Sequence, residues 1–410
     1  MTRRASPPFE TPLSLHFALV TSGEDVVDRL AAAADAAGIR RIHVLAWRDL
    51  DDPEAGGSEL HAHEILSLWA RAGLDINMRT SFSPGQRQVI WRNGYRVIRK
   101  AGRYMVFPRA ALSELAGWHG GRDALVEIWN GMPFWSPLWC RGPRVAWMHH
   151  LHDTMWEMSL PPRLARVGRA IEFDIAPPVY RYTRTPIVTL SQSSKHELVT
   201  RLKFPESSVR VVPVGIGAQY APGGEKAPVP TVVACGRLVA VKRFPMLIDS
   251  LVAAKTKVPQ LEAVIMGEGY DRPDLEAQIA AAGATDWIRL LGFVSDEEKV
   301  EQYQRAWVLA SASAHEGWGM TLTEAAACGT PSVATDISGH RDALDPDRSG
   351  ILVDSAEAMT GALVSVLTDD ALRARLTAGA LAHAARFTWG ATALGTLEIL
   401  CAQAERSGAR

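Results

Sequence analysis

Short apolar runs recur along this chain, and most lead into a break and then into apolar positions at helical spacing. Ile42–Trp47, Ala124–Trp129, Arg144–Met148, Pro186–Leu190 and Val209–Val214 read as buried strands. Thr231–Ala234, Ala263–Met266, Ile288–Leu291, Trp307–Ala312 and Ser332–Thr335 repeat the pattern further on. Between them, Ala62, Ile65, Leu66 and Trp69 share one helix face, and Phe244, Leu247, Ile248, Leu251 and Val252 share another. Strands alternating with helices predict α/β architecture. Gly23–Ala37 reads as an Ala-rich helix, 355–385 as helical, and Phe387-Thr388-Trp389 as the opening of a last helix. The Pro-rich stretch 6–12 reads as a flexible lead.

Ala221–Pro230, rich in Pro and Gly, is the clearest linker, so we place a first domain at 1–225 (with 1–41 as an atypical extension) and a second at 231–388. A terminal helical segment, 389–410, follows. Strand, glycine turn and helix start come together at Gly56-Gly57-Ser58-Glu59 and again at Gly317-Trp318-Gly319-Met320-Thr321. Free N–H groups and the positive end of a helix dipole make each an anion-competent corner. Glu316 and Glu324 flank the second corner. Read structurally, Thr321-x-x-Glu324 is a capping box, Glu316 a solvated loop acid, and Gly56-Gly57 only a turn.

Composition narrows the classes. With 410 residues, 47% of them hydrophobic, the chain can fill more than one core. A net charge of −1 gives no general pull toward nucleic acid. Cys140, Cys235, Cys328 and Cys401 lie far apart, a pattern of reduced thiols in a cytoplasmic protein. No apolar run reaches about 18 residues, so no membrane span is expected, and a signal peptide is not expected either. Arg79–Arg109 carries eight cations (Arg79, Arg87, Arg92, Arg96, Arg99, Lys100, Arg103, Arg109) and no acid. Its Asn93-Gly94 turn predicts a hairpin or meander. It reads either as a solvated sheet face or as a dock for an anionic acceptor or the inner face of a membrane. Asp49-Leu50-Asp51 and Asp345-Pro346-Asp347 spell D-x-D, but neither has further oxygen ligands nearby in sequence, and no metal site is assigned.

Glu316-Gly-Trp-Gly, with Glu324 eight positions on and Glu324-Ala-Ala-Ala-Cys-Gly-Thr-Pro331 after it, resembles the retaining nucleotide-sugar glycosyltransferases of family 4. Gly236-Arg237-Leu238-(x3)-Lys242 resembles that family's diphosphate clamp, and Gly56-Gly57-x-Glu59 its N-terminal glycine loop. The resemblance runs from about Ile42 onward and implies a GT-B fold: two doubly wound Rossmann-like domains facing an interdomain cleft. It implies that Gly56, Gly57, Gly236, Arg237, Lys242, Gly317, Gly319, Met320 and Thr321 hold the donor diphosphate. Glu324 would take the ribose and Glu316 a hydroxyl of the sugar, while backbone near Phe293 and Val294 would read the base. Family 4 places a histidine at a strand end on the donor sugar. His149 fits best and His150 second, since neighbouring strand residues face opposite ways. The loop 129–137, Asn130 included, would wall the acceptor pocket, unless its aromatic residues only pack.

One departure stands out: Val214-Gly215-Ile216-Gly217 replaces the family's Asn-Gly-x-Asp, so nothing is carried over there. The implied activity is metal-independent transfer of a hexose from a UDP- or GDP-sugar to a hydroxyl acceptor, with no cofactor and no nucleic-acid partner. A GT-B nucleotide-sugar epimerase and a degenerate nucleotide-sugar-binding protein are the alternatives.

Overall fold

The computed structural model describes residues 23–153 and 155–408. Two sheets organise it. The first contains β1 (Arg41–Leu45), β2 (Asp75–Thr80), β3 (Val89–Arg92), β4 (Tyr95–Arg99), β5 (Ala124–Ile128), β6 (Arg144–Trp147), β7 (Ile187–Thr189) and β8 (Val209–Val211). Their order is β3-β4-β2-β1-β5-β6-β7-β8, parallel except for the antiparallel β3–β4 hairpin. The second sheet contains β9 (Thr231–Cys235), β10 (Glu262–Met266), β11 (Ile288–Gly292), β12 (Val308–Ser311), β13 (Ser332–Thr335) and β14 (Gly350–Val353). Its order is β11-β10-β9-β12-β13-β14, parallel throughout. The apolar runs become strands because helices cover both faces, which rewards continuous rather than alternating hydrophobicity.

Chain order reverses at β1 in the first sheet and at β9 in the second. At such switch points the loops leaving adjacent strands diverge and open a crevice. The glycine pair 56–57 leaves β1, and Gly236–Lys242 leaves β9.

The Gly23–Ala36 helix accounts for the chain just before β1. Its Val26, Leu30 and Ala34 enter a core shared with Trp69, Leu397 and Leu400, and it lies along the Trp389–Gly408 helix. That last helix packs on the first sheet's side of the molecule, where the Trp69 indole donates to the Ala393 carbonyl at 3.0 Å. Gly215 borders the crossing point: a Cβ there would lie 2.3 Å from the Trp389 nitrogen, so the departure at 214–217 leaves a glycine that lets two backbones touch. The four cysteines are unpaired. The proposed lead at 6–12 lies outside the described residues.

The basic stretch differs from expectation. Its hairpin forms, with Asn93 and Gly94 both at positive φ (43° and 86°). Val106–Leu115, however, is a helix; Pro108 sits in its first turn, where its missing N–H costs nothing. Half the cations meet acids from outside the stretch. Arg99 Nε lies 2.6 Å from Asp49, Arg92 pairs with Asp51, Arg103 with Glu54 at 2.8 Å, and Arg79 with Glu114 at 2.6 Å. A uniform solvated face is therefore excluded. Asp49 and Asp51 serve as counter-ions to arginines.

Candidate active site between the two sheets

The Gly57–Arg71 helix begins with Gly56 as its cap residue, and Glu59 reaches back to accept from the Gly56 N–H at 2.8 Å. Across the crevice stand the loop after β9 and the start of the Met320–Ala327 helix. A Cβ on Gly57 would come 3.0 Å from the Met320 sulfur, and one on Gly56 would sit 4.0 Å from Arg237 Nε. The two glycine corners and Arg237, far apart in sequence, thus converge on one place. Arg237 is exposed and makes no ion pair among the described residues.

Glu316 is held from two sides. Lys242 pairs with Oε1, and the Ser313 hydroxyl donates to it at 2.9 Å. Burial alone would raise its carboxyl, but Lys242, the nearby His340 ring and the Ser313 hydrogen bond outweigh burial and hold it below the usual range. Glu316 is therefore an ion-paired carboxylate and not a solvated loop acid. His340 is buried and anchored through Nδ1 to the Thr335 carbonyl at 2.8 Å. Gly339, ahead of it, lies so close that a Cβ would come 2.6 Å from the Glu316 carbonyl oxygen. Ser313, Gly339 and His340 were not read from the sequence; the Gly-His pair beyond β13 carries no signal without knowing what it packs against.

The capping-box reading of Glu324 fails. The helix starts at Met320 with Gly319 (φ 112°) as its cap residue, which puts Thr321 already inside the first turn. Glu324 instead faces Lys299 at 3.4 Å and the Tyr303 hydroxyl at 3.3 Å, both from the Asp296–Arg305 helix. Burial pushes its carboxyl up, with Lys299 and Tyr303 opposing. Lys299 is a further site residue that sequence did not reveal. At the end of β11, Phe293 is 88% exposed beside half-buried Val294.

Two histidines end β6 and split in orientation. The His149 ring is enclosed, 3% exposed and 4.8 Å edge-on from the His61 ring, and burial lowers it to about 4. Its backbone carbonyl fronts the cleft: a Cβ on Gly317 would lie 2.6 Å from that oxygen. His150 faces the second sheet, with its ring 5.5 Å from His315. Burial, then the neighbouring His152, His315 and His149 and the Lys242 charge, drive it well below the ordinary histidine value. Glu172, fully buried where the helix widens to a π turn, accepts from the His152 N–H at 2.9 Å and the Trp156 indole at 2.8 Å and so fixes this loop.

On the acceptor side, Asn130 Nδ2 lies 3.3 Å from the Ser58 hydroxyl, at the mouth of the first glycine corner. Trp129 and Phe134 do not wall a pocket. They are 0% and 1% exposed and pack against Tyr180 and Phe107. The two halves are tied beside the cleft by Asp342, which accepts from the Gln192 N–H at 2.8 Å and the Ser193 N–H at 3.1 Å, and by Ser338, which donates to Glu197 at 2.6 Å.

Two switch-point crevices facing each other, with cations and helix ends turned inward, define the GT-B architecture. Residues 220–382 match the family described as Glycosyl transferases group 1. The D-inositol 3-phosphate glycosyltransferase of Salinispora arenicola is 35% identical over 175 residues, 40% of this chain, and the chain spans about two fifths (39%) of that relative's length. The protein of the same name from Thermobispora bispora is 29% identical over 410 residues, covering 87% of this chain and 93% of its own. Among solved structures, the sucrose-phosphate synthase of Thermosynechococcus elongatus superposes with a TM-score of 0.72 at 20% identity, over 87% of this chain and 97% of that one. Anabaena Alr3699/HepE in complex with UDP and glucose gives 0.68 at 17%, over 90% and 100%. The chain has the GT-B fold, and its second sheet lies within the stretch that matches the group 1 glycosyl transferase model. No helix among the described residues is long and apolar enough to cross a membrane.

Proposed function

We propose that this chain is a retaining glycosyltransferase of family 4 that moves a hexose from a UDP-sugar to a hydroxyl acceptor without a metal ion. The observation that carries the reading is the convergence at one spot of Arg237, the Lys242–Glu316 pair, the Gly56-Gly57 corner and the Met320 helix start.

The chemistry follows from charge. As the glycosidic bond breaks, negative charge grows on the departing diphosphate. Arg237 offers a planar fork, Lys242 a point charge, and the Gly319–Thr321 N–H groups a helix end. These supply positive potential where a metal would otherwise be needed. Glu316 accepts from a hydroxyl of the transferred sugar, and Glu324, held between Lys299 and Tyr303, accepts from the ribose. Gly236 lets the donor approach, and Phe293 and Val294 meet the base. His150 reaches the sugar side of the cleft, while His149 contributes its carbonyl and holds the strand end. Asn130 and Ser58 border the acceptor. HepE holds UDP on the same fold, which favours uracil as the base. The relatives named for D-inositol 3-phosphate make a phosphorylated polyol the first acceptor to try.

The experiment is a thermal-shift panel of UDP, GDP, ADP and TDP sugars, each with and without EDTA. Ligand that binds only the folded state raises its apparent stability. We expect an EDTA-insensitive rise with the UDP-sugar. A panel with no shift, or one abolished by EDTA, refutes the reading. Product analysis with and without acceptor then separates transfer from epimerisation.

A further inference from the structure

The first sheet carries a second cationic recess, lined by none of the residues assigned to the cleft. It is a pocket of about 230 Å³ lined by Arg79 and Thr80 at the end of β2, Ile98 and Lys100 at the end of β4, Val106, Arg109 and Ser113 of the Val106–Leu115 helix, and Trp118 and His119 beyond it. No acid lines it.

Its charge is unbalanced. Arg79 is 4% exposed, with Nη2 on Glu114 at 2.6 Å and Nη1 on the Ser113 hydroxyl. Glu114 is already shared, since Arg122 and the His43 ring (2.9 Å) bind the same carboxylate. One buried anion therefore faces two guanidinium groups before Lys100 and Arg109 are counted, and neither of those pairs with an acid among the described residues. Arg79 Nε and the Thr80 hydroxyl (1% exposed) are both buried without a partner. A buried polar group left unpaired is destabilising, more so when charged. His119 reports the same field: burial and then Arg79, Arg96 and Lys100 depress it to about 4. Trp118, 60% exposed with the Arg109 guanidinium 5.7 Å from its ring, gives the recess an apolar lip.

We propose that this pocket binds the phosphoryl group of a second ligand, separate from the sugar donor. A tetrahedral phosphate accepts from Arg79 Nε, the Thr80 hydroxyl, Lys100 and Arg109 together, and restores charge balance around Glu114. The phosphate can come from a small soluble ester or from an anionic lipid headgroup. Tyr104, Met105, Leu112 and Leu115, all more than 60% exposed on the same helix and its approach, are compatible with either.

The test titrates the full chain with inorganic phosphate and glycerol 3-phosphate by calorimetry, and separately sediments it with equimolar phosphatidylglycerol–phosphatidylcholine vesicles against pure phosphatidylcholine. Lys100→Gln/Arg109→Gln removes two surface cations and should leave the unliganded Tm near that of the wild type; Arg109→Gln alone serves if it does not. Arg237→Ala disables the donor clamp and controls for phosphate entering the cleft. Saturable phosphate or ester binding, weakened at least tenfold by the double substitution and retained in Arg237→Ala, supports the pocket with a soluble ligand. Capture by the anionic vesicles alone, lost in the double variant, supports it with a lipid source. Binding that is absent in both arms, equal in the double variant, or abolished by Arg237→Ala overturns it. None of these outcomes depends on which sugar donor the cleft accepts.

Discussion

Replacing Glu316 by alanine should separate donor binding from turnover, and in an unusual direction. Lys242 is engaged by Glu316, both side chains about one-fifth exposed (21% and 20%). For Lys242 to serve a diphosphate it must give up or share that partner. An ion pair of this exposure contributes about 1 kcal/mol. Removing the carboxylate frees the ammonium and should tighten UDP by up to about fivefold. The transferred sugar then loses its charged acceptor, a hydrogen bond worth about 1.5–3 kcal/mol, so kcat should fall about 10- to 150-fold.

Calorimetry with UDP and initial-rate measurement of UDP release from the intact donor read the two quantities independently. Alanine does not retain the volume of the glutamate side chain, so the Tm of the variant checks that the Ser313 and His340 surroundings have not collapsed. UDP binding weakened tenfold would mean that Glu316 holds the nucleotide and not the sugar. An unchanged kcat would remove it from the reaction altogether.

Arg237→Ala should weaken UDP by about 10- to 150-fold and lower turnover with it, while Arg237→Lys should recover only part, because a point charge does not replace a planar fork; full recovery in steady-state kinetics would refute bidentate binding. Gly317→Ala drives a Cβ to 2.6 Å from the His149 carbonyl oxygen and should cost about 1–3 kcal/mol in urea unfolding, together with activity; a variant of wild-type stability and rate would show that the contact yields freely. His149 is neutral when folded but titrates near 6.5 when unfolded, so the unfolded chain binds the extra proton and stability declines as pH falls from about 6.5 to about 4, by up to roughly 3 kcal/mol. His149→Gln should flatten that part of the pH–stability curve, and parallel curves would disprove it. Asp342→Ala removes the acceptor of two N–H groups across the cleft edge and should lower stability by about 0.5–2 kcal/mol in denaturant titration; no loss would mean the contact is incidental.

What the sequence revealed and what it hid follow from how local each feature is. Strands, breaks and helix starts depend on neighbours a few residues away, so Ile42–Trp47, Ser332–Thr335 and the Met320 helix were legible to within a residue or two. Partners were not. Lys242 and Glu316 are 74 positions apart, Lys299 was never a candidate, and the eight cations of 79–109 looked unopposed because their acids lie at 49–54 and at 114. Trp129 and Phe134 looked like sugar platforms because an aromatic residue in a loop reads the same whether it faces solvent or core.

The glycines show the limit most sharply. Read in sequence, Gly56 and Gly57 are an anion corner or a simple turn and Gly317 part of a glycine-bracketed loop, yet none of the three adopts a positive φ. Of the four glycines in the two corners, Gly319, at 112°, is the one that needs glycine for its conformation. At Gly57 and Gly317 the requirement is space: a side chain would meet Met320 in one case and the His149 backbone in the other, and both contacts join one sheet's loops to the other's. A glycine that exists to let two distant backbones approach carries no local signature, because the atom it avoids belongs to a segment more than a hundred residues away. The motif is therefore a record of cleft closure as much as of anion binding, and substitutions at Gly57 and Gly317 should act on the seating of the two halves before they act on the phosphate.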